Sequence, residues 1–260
     1  MKTFHRVLIA AAGAAVIGSV AAWAAGEYKK PAEYDFSFEG PFGTFDRAQL
    51  QRGFTVYENV CAACHSLEHL DFRHLGMDGG PFDEQGMAVA GMEELYSPDP
   101  NQNEVIRQIA SRTMVEDGPD EYGDMFMREG RPADDFPSPW ENEAQGRAAN
   151  GGAYPPDLSV ITKARYGGPE YIRSLLMGYD YEVPEDLDIR PGNYYNPYMS
   201  GEVIAMPPVL YLDGVVYEDG TEATVDQMAT DVAAFLHWAS EPHLEARKRM
   251  GVAVMLYLLL

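Results

Sequence analysis

Two cysteines are all that the 260 residues contain, and they stand three positions apart as Cys61 and Cys64. That scarcity excludes a disulfide-stapled scaffold, and it excludes a structural zinc site, for which the chain has no further cysteine to complete about four ligands. Positive charge is scarce too. Lys and Arg number 19 against 41 Asp and Glu, which leaves a formal net charge of −22. A field of that sign repels nucleic acid and anionic lipid head groups, so no nucleic-acid role is expected. It attracts a basic protein and speeds their encounter in a salt-dependent way; solubility is the plainer use of such a surface. Also missing are an internal repeat, a low-complexity block and any grouping that reads as a catalytic triad. A chain that is 46% hydrophobic can still bury a sizeable core, in one large domain or two small ones.

What is present is organised around Cys61-Ala62-Ala63-Cys64-His65. Two thiols at this spacing, with a histidine directly after the second, suit covalent attachment of a c-type haem. On a helical turn both cysteines share one face and can reach the two vinyl groups of one porphyrin. His65 then lies where an imidazole nitrogen can ligate the iron from the proximal side. The rival reading is a thioredoxin-like redox pair, which also needs only two cysteines. That motif follows a strand, whereas Leu50, Phe54, Tyr57 and Val60 precede this one at helical spacing.

Residues 1–24 read as a secretory leader: Lys2 and Arg6, an apolar stretch from Val7 to Val20, and a small-residue site at Ala22-Trp23-Ala24. An uncleaved N-terminal anchor is the other reading; either way the bulk of the chain is expected to be exported. Thr44 or Asp46 can cap the helix that runs to the motif. Further helices are expected over Asn103–Thr113, from Ser138-Pro139 to a left-handed stop at Asn150-Gly151-Gly152, over Pro156–Ala164 and over Pro169–Met177. Residues 114–137 read as an acidic surface excursion. Leu210–Tyr217 reads as a small hairpin on an Asp-Gly turn. Thr224-x-x-Gln227 opens a helix to Ser240. Beyond Pro242, Arg247-Lys248-Arg249 leads into Met250–Leu260, which carries no charge. At about 1.5 Å per residue these cover roughly half of a bilayer core. They read as the start of a membrane helix whose remainder is absent from this sequence, against the alternative of a buried terminal helix. The expected fold is therefore mainly α: a haem domain over 25–241 with long loop insertions and a small β-hairpin, then the start of an anchor helix over 242–260.

A sixth iron ligand separates electron carriers from catalysts and gas binders. Among 13 methionines, Met206 stands apart because Pro207 and Pro208 follow it and bar the local backbone from helix. A neutral thioether favours reduced iron and raises the potential. His69 and His74 are expected at the haem rim and His237 in packing. An exported haem enzyme of peroxidase type, with an open sixth position, remains the alternative; it would bind cyanide or carbon monoxide readily.

The ordered set of motifs resembles the cytochrome c1 family. It comprises residues 61–65, Ala149-Asn150-Gly151-Gly152-Ala153-Tyr154-Pro155-Pro156-Asp157-Leu158-Ser159, and Ala164-Arg165-Tyr166-Gly167-Gly168-Pro169-Glu170-Tyr171. It continues through Tyr195-Asn196-Pro197-Tyr198, Ile204-Ala205-Met206-Pro207-Pro208, Ala239-Ser240-Glu241-Pro242 and Arg247-Lys248-Arg249-Met250-Gly251. The resemblance implies one covalent haem c, with thioether links at Cys61 and Cys64 and axial ligands His65 and Met206. It implies that Arg165 pairs with a haem propionate, that Asn150 and Tyr171 line the pocket, and that Pro155 and Pro156 pack the ring. It further implies the haem subunit of quinol–cytochrome c reductase, with cytochrome b and a Rieske iron–sulfur protein beside it and a soluble, basic c-type cytochrome as acceptor. By the same resemblance the complex is a dimer in a bacterial inner membrane, with the haem domain on the periplasmic side and a single C-terminal anchor. The chain itself would perform electron transfer with no bond chemistry. Acidic segments at 116–124 and 180–188 are candidate landing sites for the carrier.

Overall fold

The computed structural model describes residues 29–260; the leader expected over 1–24, with His5, lies outside the described residues. The first helix, α1 (Arg47–Val56), starts where expected, because the Asp46 side chain accepts a hydrogen bond from the Gln49 N–H. This satisfies one of the free donors of the first turn. It does not run to Val60 as a regular α-helix. Residues Tyr57–Cys61 form a π turn, closed by the Ala62 N–H on the Tyr57 carbonyl at 2.9 Å, and single π turns of this kind are common at functional sites.

Four short helices follow: α2 (Glu84–Val89), α3 (Glu104–Ser111), α4 (Glu143–Ala149) and α5 (Ile161–Ala164). Then come α6 (Gly168–Met177), α7 (Val225–Ser240) and α8 (Leu244–Leu259). Helix α7 is the centre. Every residue from Met228 to Leu236 is buried, the pattern of a helix covered on all sides, and α1, α5 and α6 all pack on it. Phe235 and Trp238 are fully buried, each apolar side chain of this size contributing about 1.5–3 kcal/mol by leaving water. Thr224 caps α7 by accepting from the Gln227 N–H. The capping box is not reciprocal, because the Gln227 amide donates to Asp231 at 2.9 Å and the Thr224 N–H donates to the Glu222 carbonyl. The irregular segment before α1 packs on the same helix: Phe38 stacks on the His237 ring at 4.6 Å. Burial there lowers the His237 pKa to about 4, so this histidine packs as a neutral group.

Three further expectations need correction. The helix expected over Pro156–Ala164 forms only over Ile161–Ala164. No strand pairing occurs at 210–217. Asp213 does take φ 57°, but Gly214 does not join it in the left-handed region, and a two-residue hairpin turn of that type needs both. Among the described residues pairing occurs instead between β1 (Met114–Asp117) and β2 (Phe126–Glu129), and between β3 (Tyr194–Tyr195) and β4 (Val203–Ile204). The acidic excursion is thus a projecting antiparallel arm, with Asp117 opposite Phe126 at its outer end. Nor does α4 begin at Ser138-Pro139. Its cap is Asn142, which accepts from the Gln145 N–H at 3.0 Å, while Trp140 is held in the preceding loop.

At the C-terminal end, α8 leaves the domain from a buried ion cluster. Arg47 donates to Asp83 and, at 2.7 Å, to Glu245, so the first turn of α8 is fastened to the start of α1. Met250 and the large apolar side chains from Val254 onward are exposed. No helix among the described residues is long and apolar enough to cross a membrane.

Candidate haem site

The cysteine–histidine turn keeps helical geometry after the π turn. Both the Cys64 and His65 N–H groups donate to the Cys61 carbonyl, at 3.0 and 2.9 Å, which puts Cys61 and Cys64 on one face. Both thiols are free and half-buried. Burial, with the neighbouring Cys64, pushes the Cys61 thiol up to about 12. A thiol–disulfide nucleophile needs the opposite shift, so Cys61 lacks the activation that the redox-pair reading asks of it.

His65 is fixed through its ring. Its Nδ1 lies 2.7 Å from the Pro156 carbonyl oxygen. A carbonyl can only accept, so Nδ1 carries the proton and Nε2 keeps its lone pair for a metal. Burial lowers the imidazole pKa, against the opposing effect of that carbonyl, and so favours the neutral, ligating form. Asp157 braces the two strands of chain that meet here. Its carboxylate accepts from Ser66 Oγ at 2.7 Å and from the N–H groups of Glu68 and Ser159, both at 2.8 Å. Two aromatic residues hold the turn from its other side: Trp140 Nε1 donates to the Cys64 carbonyl at 3.0 Å and Tyr57 Oη to the His65 carbonyl at 3.2 Å.

Met206 is half-buried in the loop after β4, and Tyr179 Oη donates to its carbonyl at 3.0 Å. Tyr171, on α6, is buried, with Oη 3.8 Å from Met199 Sδ. Asn150 does what the helix-stop reading expected: it ends α4, with Gly151 and Gly152 at φ 62° and 97°, and its Nδ2 donates to the Gly146 carbonyl at 2.8 Å. Pro155 is half-buried and Pro156 exposed, the latter acting through its carbonyl. Arg165 is exposed, makes one hydrogen bond to the Ala164 carbonyl and forms no ion pair among the described residues. His74 caps its own turn by accepting from the Asp71 N–H, and the exposed His69 is tied by its N–H to Ser159. The elements form a continuous chain of contacts from His65 through Pro156, α5 and α6 to Tyr179 and Met206. Sequence spacing did not single out Trp140, Asp157 or Tyr179.

A mainly helical domain whose first helix ends in such a turn is of the c-type cytochrome class. Within that class the chain belongs to the cytochrome c1 family, whose model matches residues 36–260 and whose members bind a c-type haem. Cytochrome b/c1 of Bradyrhizobium diazoefficiens is 45% identical over 98% of this chain, which spans 37% of that longer protein. Cytochrome c1 of Rhodospirillum rubrum is 43% identical, covering 86% of this chain and 80% of its own length. The protein named cytochrome c1, heme protein, mitochondrial, of Kluyveromyces lactis is 45% identical, covering 86% of this chain and 70% of its own.

Proposed function

We propose that this chain is the haem-bearing subunit of a quinol–cytochrome c reductase and moves one electron at a time. It takes the electron from a Rieske iron–sulfur protein and passes it to a soluble, basic c-type cytochrome. The observation that carries the reading is the His65 ring, locked at Nδ1 by the Pro156 carbonyl with Nε2 left as a ligand, directly after two free cysteines on one face. Family membership and the names of relatives, among them the cytochrome b-c1 complex catalytic subunit of Candida albicans, support a place beside cytochrome b.

The residues present fit a covalent haem. Cys61 and Cys64 would hold it by thioether bonds, and His65 and Met206 would ligate its iron. The group supplies a one-electron centre that cycles between ferric and ferrous iron. The chain's part is to orient, bias and present that centre. The Pro156 carbonyl fixes the imidazole plane, and the neutral thioether of Met206 favours the reduced state. The free donors of the exposed Arg165 guanidinium suit a propionate carboxylate, while Asn150, Tyr171, Pro155 and Pro156 line the pocket. The domain sits on the periplasmic side of a bacterial inner membrane, α8 leads toward the bilayer, and the whole complex is dimeric. The chain performs no bond chemistry.

Replacement of Met206 by Leu tests the ligand set. The expected result is loss of the methionine–iron charge-transfer band, a lower potential and new carbon monoxide binding by the reduced protein. An unchanged potential with no gain of carbon monoxide binding would exclude Met206. Ready carbon monoxide binding by the unmodified protein would favour the peroxidase-type alternative.

A further inference from the structure

Each residue proposed as an axial ligand has its own backbone carbonyl held by a tyrosine hydroxyl: His65 by Tyr57 at 3.2 Å and Met206 by Tyr179 at 3.0 Å. The two sides are not equivalent. His65 is also held at its ring by Pro156 and at its N–H by Cys61, so Tyr57 is one restraint of three. Met206 lies between Ile204, the end of β4, and the buried Leu210, and Pro207 and Pro208 offer no N–H to a ladder. Two tyrosine hydroxyls fasten this loop, Tyr179 at the Met206 carbonyl and Tyr211 at the Pro208 carbonyl, the latter at 2.7 Å.

Tyr179 is itself well placed to act as a fixed point. It lies in the single turn Gly178–Asp180 that closes α6. Gly178 is pressed so closely on Asn196 that a Cβ there would stand 2.6 Å from its Oδ1. Asn196 Nδ2 donates back to the Leu175 carbonyl at 2.8 Å, and Tyr195, next to Asn196, pairs with Val203 just before the methionine loop. The turn, β3, β4 and the loop therefore form a closed frame, and the Tyr179–Met206 hydrogen bond is its last side.

We infer that Tyr179 is a positioning residue for Met206: its hydroxyl holds the loop backbone so that the thioether is presented in one orientation before it binds iron. The inference rests on the assignment of Met206 as a ligand. A thioether is a weak neutral ligand, so its bound fraction depends on how much ordering the loop still needs. Loss of one neutral hydrogen bond is expected to raise the methionine-off population about three- to tenfold.

The test is Tyr179→Phe in the intact haem-loaded complex, which removes the hydroxyl and keeps the ring. Carbon monoxide reaches a methionine-ligated iron only when the ligand is off, so its association rate with the reduced protein should rise about three- to tenfold. The methionine–iron band of the oxidised protein should weaken and the potential should fall. Tyr122→Phe, at an exposed side chain on the β1–β2 arm and outside this loop, should leave all three unchanged. A Tyr179→Phe protein with native rate, band and potential overturns the inference, including where its thermal stability is reduced, because that outcome is a purely structural role. Met206→Leu separates the two readings. If it spares the band, the ligand assignment fails; if it abolishes the band while Tyr179→Phe changes nothing, only the positioning role fails.

Discussion

Asp157 joins the residues after the cysteine–histidine turn to those before α5, and so holds Pro156 where its carbonyl meets His65. Burial raises its pKa, but the hydrogen bonds from the Glu68 N–H, Ser159 and Ser66 outweigh burial and bring it below the usual carboxylate range. A depressed folded-state pKa means that the stabilisation is present above the unfolded value of about 3.9 and is lost as pH falls through the folded one. Asp157→Asn is therefore expected to cost about 1–2 kcal/mol at neutral pH, the lower end for hydrogen bonds to charge because the carboxylate is only half-buried. The difference from the unmodified protein should be smaller at an acid pH below the depressed folded-state value than at neutral pH. Denaturant unfolding of the haem-loaded protein at both pH values measures it, and a pH-independent difference would mean that the charge is not what stabilises the turn. None of this was legible in sequence. Cys61, Cys64 and His65 announce themselves because covalent attachment demands a fixed spacing, whereas Trp140 reaches Cys64 across 76 positions and Tyr179 reaches Met206 across 27. Such contacts exist only once the chain has folded.

Helices were the readable elements, for a local reason. Asp46 and Thr224 cap α1 and α7, each by chemistry within one turn of its position. Strands were not readable. No residue of the β1–β2 arm is buried, and its strands read Met-Val-Glu-Asp and Phe-Met-Arg-Glu, apolar then charged, so the sequence lacks the apolar–polar alternation that marks a half-buried strand. The segment at 210–217 shows alternation only in its second half, where Val215 and Tyr217 are buried, while Tyr211 and Leu212 are both exposed. The closest helix contact also has no sequence signal beyond a glycine. At Gly53 a Cβ would stand 2.2 Å from the Asp231 carbonyl oxygen and 2.6 Å from Phe235 Cβ. The Asp231 carbonyl belongs to the backbone of α7 and cannot rotate away, so Gly53→Ala must push α1 and α7 apart. The expected cost is about 1–3 kcal/mol, a fall in Tm of roughly 2–4 °C for each kcal/mol in a chain of this size. Thermal unfolding of the purified holoprotein reads it. Wild-type stability would show that the helices can slide without loss of packing.

Over the whole molecule the net charge of −22 is not spread evenly in function, because many carboxylates already have partners. Asp117 and Asp134 clasp Arg128, Asp83 and Glu245 clasp Arg47, and Asp219 and Asp231 clasp Arg52. On the arm, the exposed acids without an ion pair among the described residues are Glu116, Asp120, Glu121, Asp124 and Glu129. After α6 they are Asp180, Glu182, Glu185, Asp186 and Asp188. The candidate landing segment at 116–124 thus loses Asp117, while Asp120, Glu121 and Asp124 stand in the turn at the outer end of the paired ladder. Exposed charges act on a partner through the field they share with it, over about 10 Å at 0.1 M salt, and so govern the encounter rate more than the contact. Reversal of Asp120, Glu121 and Asp124 to Lys should slow reduction of a basic carrier about tenfold at low salt and flatten the dependence of the rate on ionic strength. At high salt the variant and the unmodified complex should converge, because screening removes the term that was changed. The same reversal at Glu185, Asp186 and Asp188 assigns the carrier to one surface or the other. Stopped-flow reduction across a salt series decides it, and an unaltered salt slope in both variants would move the docking site away from the two acidic loops.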